Sequence, residues 1–332
     1  MTEPIPLVRA AGAHREVGAQ VGSATAGAIR RLAAAPFDRE LVERYRAVSV
    51  EHLPWVVEEL DAAAEAAGID PLAVFAASVE ELYPSPAAAG CTDLVVAPPL
   101  ARHLLVAHNN DLDAADEQDL VAIEWRVPGE PVVFTLGNGP WISAGWNDAG
   151  LSVTGNELTP NDERVGIPRL LQVRDVLTRQ TLADAVEAVL HPARASSYNW
   201  VLAHASGEAV NVEGSGGDAA VTAPEDGVLV HANHYEHPGM RRYEGRAETL
   251  DSAHRSGRAA ELLSGRADAV TTEWLRRALA DHEGAPDSLC RHDGAEGTKT
   301  VFWCVADVTS GVITYGRGNP CDSTAQTYRF ER

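Results

Sequence analysis

The stretch AAAGCTDL, residues 87–94, marks the sharpest change of pattern in the chain. An alanine-rich run typical of a helix ends at Gly90, and Cys91 opens a series of short segments rich in β-branched residues. A domain linker at this boundary would be polar and flexible, but here the chain runs directly into a predicted strand. The place of Cys91 at the start of that strand therefore calls for a chemical explanation.

The residues before Cys91 predict a helical N-terminal segment, 1–90. Apolar residues recur there at spacings of three, four and seven, the period of a helix with one buried face. Asp38 and Asp70 are predicted helix N-caps, and Gly68 is a predicted helix end.

The residues after the boundary, 91–332, predict strands, then helices, and then strands again. Short β-rich runs separated by Gly, Pro, Asn and Asp predict an antiparallel meander over 91–156. This order favours the α+β class, with two antiparallel sheets covered by helices. Helices are predicted at 168–178, 181–190, 247–264 and 270–281, and hairpin turns at Ser206-Gly207 and Ser310-Gly311.

The composition is that of an acidic globular protein. The chain has 332 residues, of which 45% are hydrophobic, and its net charge is −21. Because such a surface repels polyanions, we expect neither nucleic acid nor a membrane as a partner. No apolar run approaches the roughly 20 residues of a membrane-spanning helix. The N-terminus also lacks a secretory signal, so we expect a cytoplasmic location.

The sequence predicts no metal and no cofactor. The cysteines form no CxxC pair, so a zinc knuckle and, in a reducing compartment, disulfides are both disfavoured. Residues 231, 234 and 237 are histidines, but positions three apart on a strand face opposite sides. The acidic run 111–116 lacks the Gly and Glu of a calcium loop. Buried free thiols are expected at Cys91, Cys290, Cys304 and Cys321.

A specific reaction would explain a cysteine after glycine. The Cys91 thiolate can attack the carbonyl of Gly90, which has no side chain to block the approach. Hydrolysis of the resulting thioester would make Cys91 a new N-terminus. Its α-amine, with an ordinary pKa near 8, could then act as a general base for its own thiol.

Further motifs occur in a fixed order along the chain, and together they resemble one family. This is the acyl-coenzyme A:6-aminopenicillanic acid acyltransferase family, the peptidase C45 group of N-terminal-nucleophile hydrolases. The resemblance spans nearly the whole chain. The motifs are GAHREVGAQVG (12–22), GCTD (90–93), AHNNDLD (107–113), AGWNDAGLSVTGN (144–156), HANHY (231–235), DSAHRSGRAAELL (251–263), DSLCRH (287–292) and GNPC (318–321).

The resemblance implies a fold and a maturation pathway. The family's fold is a four-layer αββα sandwich, which agrees with the predicted element order. Its members are made as precursors, or zymogens, that cut themselves between Gly and Cys. Self-cleavage here would give pieces 1–90 and 91–332, and we expect them to stay associated because the apolar stripes of the first piece are core.

The resemblance also assigns site residues. Cys91 matches the family's nucleophile, and Asp111 matches the aspartate of its Asn-Trp-Asp segment, a polar group near the cleavage site. Asn109 matches the asparagine of that segment. Asn233 matches the asparagine of a His-x-Asn-His segment, whose side-chain amide is expected to donate to the oxyanion, an interaction worth roughly 3 kcal/mol.

Three positions depart from the family's pattern and point away from a penicillin-type substrate. Asn110 stands where the family has tryptophan, and Asp93 stands where it has a small residue. The family's late arginine near the scissile bond has no clean match, and a lysine is the nearest cation. The residues predicted to bind substrate are Asn109, Asn156, His234 and Lys299.

Other polar residues have simpler interpretations. Arg255 and Arg258 lie on a predicted helix beside several acids and are interpreted as surface ion pairs. Ser252 is interpreted as the N-cap of that helix. Cys290 matches a family cysteine and is interpreted as buried and inert.

The predicted function is that of a self-processing N-terminal cysteine amidohydrolase or acyltransferase. Cys91 would attack a small-molecule amide and form a thioester, and water or a second amine would take the acyl group. Acyl-coenzyme A and an amine acceptor are further candidate partners. With the family's tryptophan and arginine both missing, hydrolysis is favoured over transfer.

Two alternatives remain open. One is an intact cysteine amidase that never cleaves and uses an external base, which a free α-amine on Cys91 would exclude. The other is a catalytically silent homologue that binds a small ligand, whose function would survive replacement of Cys91 by alanine.

Overall fold

The computed structural model describes residues 3–80, 90–196, 198–246, 249–266, 269–292 and 297–330. The alanine run predicted to end a helix before Gly90 lies outside these ranges. The strands are β1 (Leu7–Ala11), β2 (Gly90–Val96), β3 (Leu105–Asp113), β4 (Leu120–Arg126), β5 (Val133–Asn138), β6 (Trp141–Asn147), β7 (Leu151–Asn156), β8 (Asn199–His204), β9 (Ala209–Gly214), β10 (Ala219–Thr222), β11 (Val228–His231), β12 (Thr298–Asp307), β13 (Val312–Arg317) and β14 (Gln326–Arg329). The helices are α1 (His14–Ala24), α2 (Ala26–Leu32), α3 (Arg39–His52), α4 (Pro54–Ala67), α5 (Pro71–Ala76), α6 (Arg169–Val176), α7 (Leu182–Val189), α8 (Leu250–Leu263) and α9 (Thr272–Leu279).

The strands form two sheets. One sheet has the order β1-β4-β5-β6-β7-β8-β9-β10, and the other has the order β11-β2-β3-β12-β13-β14. Neighbouring strands are antiparallel except for β1 and β4, which run parallel from Leu7–Ala122 to Ala11–Arg126. The predicted two-sheet core is therefore present.

Apolar side chains from both sheets meet in a shared core. Val95 and Val106 of the smaller sheet pack in one cluster with Phe134 and Leu136 of the larger sheet. These residues alternate along their strands with others that point outward, as a half-buried strand requires. The two sheets are therefore stacked face to face.

Helices cover the two outer faces. Val17 and Val21 of α1 pack on the outside of the larger sheet, together with apolar residues of α6 and α7. Ala259 of α8 and Leu275 of α9 pack on the outside of the smaller sheet. The four-layer αββα sandwich and the α+β class are thus confirmed. Among the described residues, no helix has the length and apolar character to cross a bilayer.

Local signals in the sequence explain several element ends. Asp38 accepts from the backbone N of Leu41 at 3.1 Å, as an N-cap does. Asp70 caps α5 in the same way. Gly68 has φ of 72°, a left-handed conformation that ends α4 and suits glycine.

Four expectations are wrong in detail. β1 is a strand inside the segment predicted as helical. β2 and β3 pair in the smaller sheet, so the predicted meander is divided between both sheets. Ser252 lies inside α8, whose N-cap is Thr249. Its hydroxyl accepts a hydrogen bond from the backbone N of Asn233. Cys321 is exposed, whereas the other three cysteines are buried.

Candidate active site

The site is built where β2 and β3 lie side by side. In their register Cys91 is opposite Asn110, and Asp93 is opposite His108. Alternate residues of a strand share a face, so these four side chains point toward the core between the sheets. Thr154 of β7, in the facing sheet, donates to Asp93 Oδ1 at 2.6 Å, which ties the two sheets together there.

The Cys91 thiol is surrounded by polar groups. Its Sγ lies 3.6 Å from Asn110 Oδ1. His108 Nδ1 lies 3.1 Å from Asp93 Oδ1, and its Nε2 lies 3.3 Å from Asn110 Oδ1. Asp93 and His108 are fully buried, and Cys91 and Asn110 are nearly so. Cys91, His108 and Asp93 therefore lie close together in space, with the histidine next to the aspartate.

The charges of this group raise the pKa of His108. Burial acts to lower the pKa, but the charge of Asp93 and its hydrogen bond, aided by Cys91, raise it well above the usual range. Asp93 thus stabilises a proton held on His108. Neither His108 nor Asp93 was predicted as a site residue. Their two-residue spacing from Asn110 and Cys91 on predicted strands is the signal that could have found them.

The backbone of Cys91 is held by Asn233. The Cys91 N–H donates to Asn233 Oδ1 at 2.7 Å, and Asn233 Nδ2 donates to the carbonyl of Glu157 at 3.0 Å. The hydroxyl of Ser252 accepts from the backbone N of Asn233 at 2.6 Å. Asn233 thus presents its oxygen, and not its amide N–H, to the nucleophile.

Arg255 of α8 and Asn233 together form a cradle around the backbone of Cys91. The interpretation of Arg255 as a surface ion pair is wrong. The side chain is fully buried. Its Nη1 donates to the carbonyl of Cys91 at 2.6 Å and to Thr92 Oγ1 at 2.9 Å. Its Nη2 donates to Asn233 Oδ1 at 3.0 Å. Arg258, one turn later, does form ion pairs with surface acids.

Gly90 fits against this cradle without room for a side chain. A Cβ at Gly90 would lie 2.6 Å from Arg255 Nη2 and 3.1 Å from Asn233 Oδ1. Both distances are shorter than ordinary contacts. Only glycine, which lacks a Cβ, fits this close to Arg255 at the position before Cys91.

Asp111 lies next to Gly90 in the sheet and is fully buried. Its Oδ1 accepts from Thr300 Oγ1 at 2.7 Å. Its Oδ2 has no partner among the described residues. Burial raises the pKa of Asp111 above its ordinary value, although Arg255 and Arg291 act in the opposite direction.

Cys91 and Asp111 open onto a cavity of about 280 Å³. Its walls include apolar residues from several elements, and its polar lining includes Arg169. The Arg169 guanidinium carbon lies 3.3 Å from the centre of the Tyr198 ring, and its Nη1 lies 3.6 Å from Glu80 Oε2. Arg169 also escaped prediction, because nothing in its local sequence links it to Cys91. The apolar walls include Leu32, Ala35, Leu112, Trp141 and Leu170.

Two of the predicted substrate-binding residues hold other parts of the chain. Asn109 points away from Cys91, and its Nδ2 donates to the carbonyls of Leu279 and Leu289 at 3.0 and 2.7 Å. The Lys299 ammonium pairs with Glu117 Oε2 at 2.6 Å. These contacts favour a structural role, and substrate binding by either residue stays a prediction.

The other two predicted substrate-binding residues, Asn156 and His234, contact the segment around Asn233. Asn156 is fully buried, and its Oδ1 accepts from Asn199 Nδ2 at 3.1 Å. His234 Nδ1 lies 2.7 Å from Ser252 Oγ, the same hydroxyl that accepts from the backbone of Asn233. Their part in substrate binding also stays a prediction, and their contacts favour support of the Asn233 segment.

Comparison with known proteins adds the family. Residues 101–322, more than half of the chain, match the model of a family described as acyl-coenzyme A:6-aminopenicillanic acid acyl-transferase. No significant match is found among curated proteins. The matched range begins after Cys91, so the match does not depend on the Gly-Cys pair.

Several solved structures are also similar. A mutant of conjugated bile acid hydrolase from Clostridium perfringens is 13% identical with a TM-score of 0.48, over 73% of this chain and 97% of that chain. Penicillin V acylase from Agrobacterium tumefaciens is 13% identical with a TM-score of 0.48, over 72% and 86%. A Caenorhabditis elegans ortholog of N-acylethanolamine-hydrolyzing acid amidase is 16% identical with a TM-score of 0.46, over 66% and 93%.

The match over residues 101–322 confirms the family that the sequence motifs indicated. The chain belongs to the acyl-coenzyme A:6-aminopenicillanic acid acyl-transferase family, and it is an amide hydrolase or acyltransferase that acts on C–N bonds of small molecules.

Proposed function

We propose that this enzyme cuts its own chain between Gly90 and Cys91 and then uses Cys91 as an N-terminal nucleophile. The observation that carries the proposal is the 2.7 Å hydrogen bond from the Cys91 backbone N to Asn233 Oδ1. Cleavage would convert this nitrogen into an α-amine whose acceptor is already in place. An amine with an ordinary pKa near 8 can exchange a proton with the adjacent thiol at neutral pH.

Self-cleavage needs a base that exists before the α-amine does, and His108 fits this requirement. The thiol proton of Cys91 passes to the neutral form of His108, and Asp93 stabilises the imidazolium that forms. The thiolate attacks the carbonyl carbon of Gly90, and the peptide nitrogen leaves with the proton from His108. Water then hydrolyses the thioester, which releases the Gly90 carboxylate and restores the thiol.

Turnover would repeat this chemistry on an external amide. The α-amine takes the thiol proton, Sγ attacks the substrate carbonyl, and the leaving amine carries the proton away. Water hydrolyses the acyl thioester. Arg255 fixes the carbonyl and Asn233 the nitrogen of Cys91, so the nucleophile is oriented from both sides.

The oxyanion donor is better supplied by Asn110 than by Asn233. Asn233 already uses its Nδ2 on the carbonyl of Glu157. Asn110 Nδ2 is buried without a partner among the described residues, on a side chain whose oxygen lies 3.6 Å from Cys91 Sγ. We therefore propose that Asn110 stabilises the oxyanion, worth about 3 kcal/mol in such sites, while Asn233 orients the amine.

The cavity suits the acyl part of a small amide. A volume of about 280 Å³ is slightly below the roughly 300–1,000 Å³ of small-molecule sites and would hold a short acyl group. Its apolar walls suit the acyl chain. Arg169 is placed to bind an anionic substituent, since its Nε lacks a partner among the described residues.

The decisive experiment is the intact mass of purified wild type beside Cys91→Ala. We expect two co-purifying pieces, 1–90 and 91–332, for the wild type and one uncut, inactive chain for the variant. Cys304→Ala is the matched control, because it removes a buried thiol opposite His108 but leaves Cys91 in place, and this chain should still be cut. Wild-type protein that is active yet entirely full length would overturn the proposal.

A second candidate is favoured by the cysteine, histidine and aspartate array itself. With His108 as base, Cys91 could attack an external amide in the intact chain. The same experiment separates the two, because this candidate predicts full activity without a free α-amine on Cys91. A catalytically silent binder would instead keep its function in Cys91→Ala.

A further inference from the structure

A second cluster of reactive side chains lies apart from the residues that line the cavity. It consists of His282, Cys290, His292 and Cys321, and its four ligand atoms all lie within 4.8 Å of one another. His282, Cys290 and His292 come from the segment after α9, and Cys321 follows β13. Three of the four side chains are at least partly open to solvent. We propose that this cluster binds one zinc ion.

Four of the six spacings among the ligand atoms are close to those of a tetrahedral site, and the other two, from His282 to the sulfurs, are within 4.8 Å. Zinc bonds of about 2.3 Å to sulfur and 2.0 Å to nitrogen require about 3.8 Å between two sulfurs and about 3.6 Å between sulfur and nitrogen. The two Sγ atoms are 3.7 Å apart. His292 Nε2 lies 3.8 Å from Cys290 Sγ and 3.5 Å from Cys321 Sγ. Tetrahedral geometry also requires about 3.3 Å between nitrogens, and the two Nε2 atoms are 3.0 Å apart.

The choice of metal follows from the donor set. Two thiolates and two imidazoles are the ligands of structural zinc sites, whereas calcium and magnesium select oxygen. Asn319 Nδ2 lies 3.4 Å from Cys290 Sγ and 2.7 Å from the carbonyl of Arg291, so it orients a ligand from outside the cluster. A disulfide between the two cysteines is the competing use of the thiols, but it would leave the convergence of both histidines unexplained.

The wide spacing of the ligands along the chain explains why the sequence pointed away from zinc. Three ligands lie within eleven residues, but no two cysteines are close, and the fourth ligand comes from the end of the chain. The pairing of β12 with β13 and β3 brings the segments together, and the local sequence does not reveal it.

The proposed ion would fix a segment that reaches the candidate active site. Arg291 lies between two ligands, and its backbone N donates to Thr300 Oγ1 at 3.0 Å. That hydroxyl in turn donates to Asp111 Oδ1 at 2.7 Å. Zinc would therefore position Asp111 through Arg291 and Thr300, and this consequence, unlike the metal site, rests on the proposed function.

The test is the metal content of the full chain purified without chelators. We expect equimolar zinc in the wild type, and at least about tenfold less in Cys321→Ser and in His282→Ala. Both side chains are exposed, so the variants should fold. Cys304→Ala and His204→Ala are matched controls outside the cluster and should keep the metal.

Cobalt replacement gives a second readout that is independent of activity. Co²⁺ added to the metal-free protein should show the absorption of tetrahedral thiolate coordination in the wild type, and Cys321→Ser should lose it. Substoichiometric zinc together with no cobalt spectrum would overturn the proposal. So would a Cys290–Cys321 disulfide, seen as the loss of two hydrogens from the mass of freshly purified protein.

Discussion

Arg255 shows how a single residue can be hidden in a sequence. Beside acidic neighbours it resembles a surface ion pair, yet it lies on the buried stripe of α8 with Ala259 and Leu263. A charge at helical spacing with buried apolar residues is the signal of a paired, functional group. Cys91 and Asn233, by contrast, could be identified from motif order, because their neighbours in sequence carry the pattern.

The first prediction concerns the shape of this cation. In Arg255→Lys we expect self-cleavage to slow about tenfold to a hundredfold, since an ammonium cannot reproduce the fork that spans Cys91 O and Asn233 Oδ1. The rate is measured from the mass of the pieces after synthesis. Arg258→Lys, on the same helix, is the control and should cleave at the wild-type rate. Equal rates in both variants would contradict the assigned role.

The second prediction follows from the raised pKa of His108. A folded pKa above the unfolded value of about 6.5 stabilises the protein at low pH, and the gain is lost as pH rises through the folded pKa. Each unit of difference is worth about 1.4 kcal/mol. The free energy of unfolding of Cys91→Ala should therefore fall as pH rises from about 6.5 through the folded pKa of His108. The double variant Cys91→Ala, His108→Gln should lose less over the same pH range.

The measurement is the urea midpoint at a series of pH values. The Cys91→Ala background keeps the chain in one piece and so allows two-state analysis. Parallel curves for the two proteins would show that His108 is not the titrating group.

At the scale of elements, the sequence predicts helices well and strand partners poorly. Caps such as Asp38 and Gly68 act locally, so their helices could be placed from nearby residues alone. β1 was missed because five residues with one fully buried side chain give no clear period. Its pairing with β4, more than a hundred residues later, is a property of the packed molecule and not of the local sequence.

The third prediction tests the crossing of α1 and α4. Gly22 lies against the backbone of α4, where an added Cβ would overlap the carbonyl oxygen of Ala63. Gly22→Ala should therefore destabilise the fold by about 2 kcal/mol, since backbone cannot move aside as a side chain can. Gly27→Ala on α2 is the control, because nothing lies within 4 Å of its added Cβ.

The control should be neutral or up to about 1 kcal/mol more stable, as alanine favours helix. Both values come from denaturant unfolding in the Cys91→Ala background. A neutral Gly22→Ala would mean that the two helices can separate without cost.

At the scale of the whole molecule, the N-terminal segment is part of the catalytic core. β1 is a strand of the larger sheet, and Phe75 of α5 shares a cluster with Trp141 of β6. Glu59 of α4 forms a buried, two-bond ion pair with Arg174 of α6 at 2.8 and 3.0 Å. An interface of this kind resembles a domain core cut in two, so we expect the two pieces to stay together after cleavage.

The fourth prediction is that the concentration dependence of unfolding reports whether the chain is cut. If the wild type is cut as proposed, it is a complex of two chains. Its free energy of unfolding should then rise with protein concentration, by about 1.4 kcal/mol for each tenfold increase, and its unfolding midpoint should rise with it. Cys91→Ala remains one chain, and its midpoint should not depend on concentration. Apart from the Cys91 thiol the two proteins share their contacts, so a concentration dependence found in the wild type alone would report a cut before Cys91. Fragments that part on size exclusion in native buffer, or two separate unfolding transitions, would show that the N-terminal segment is not integral to the core.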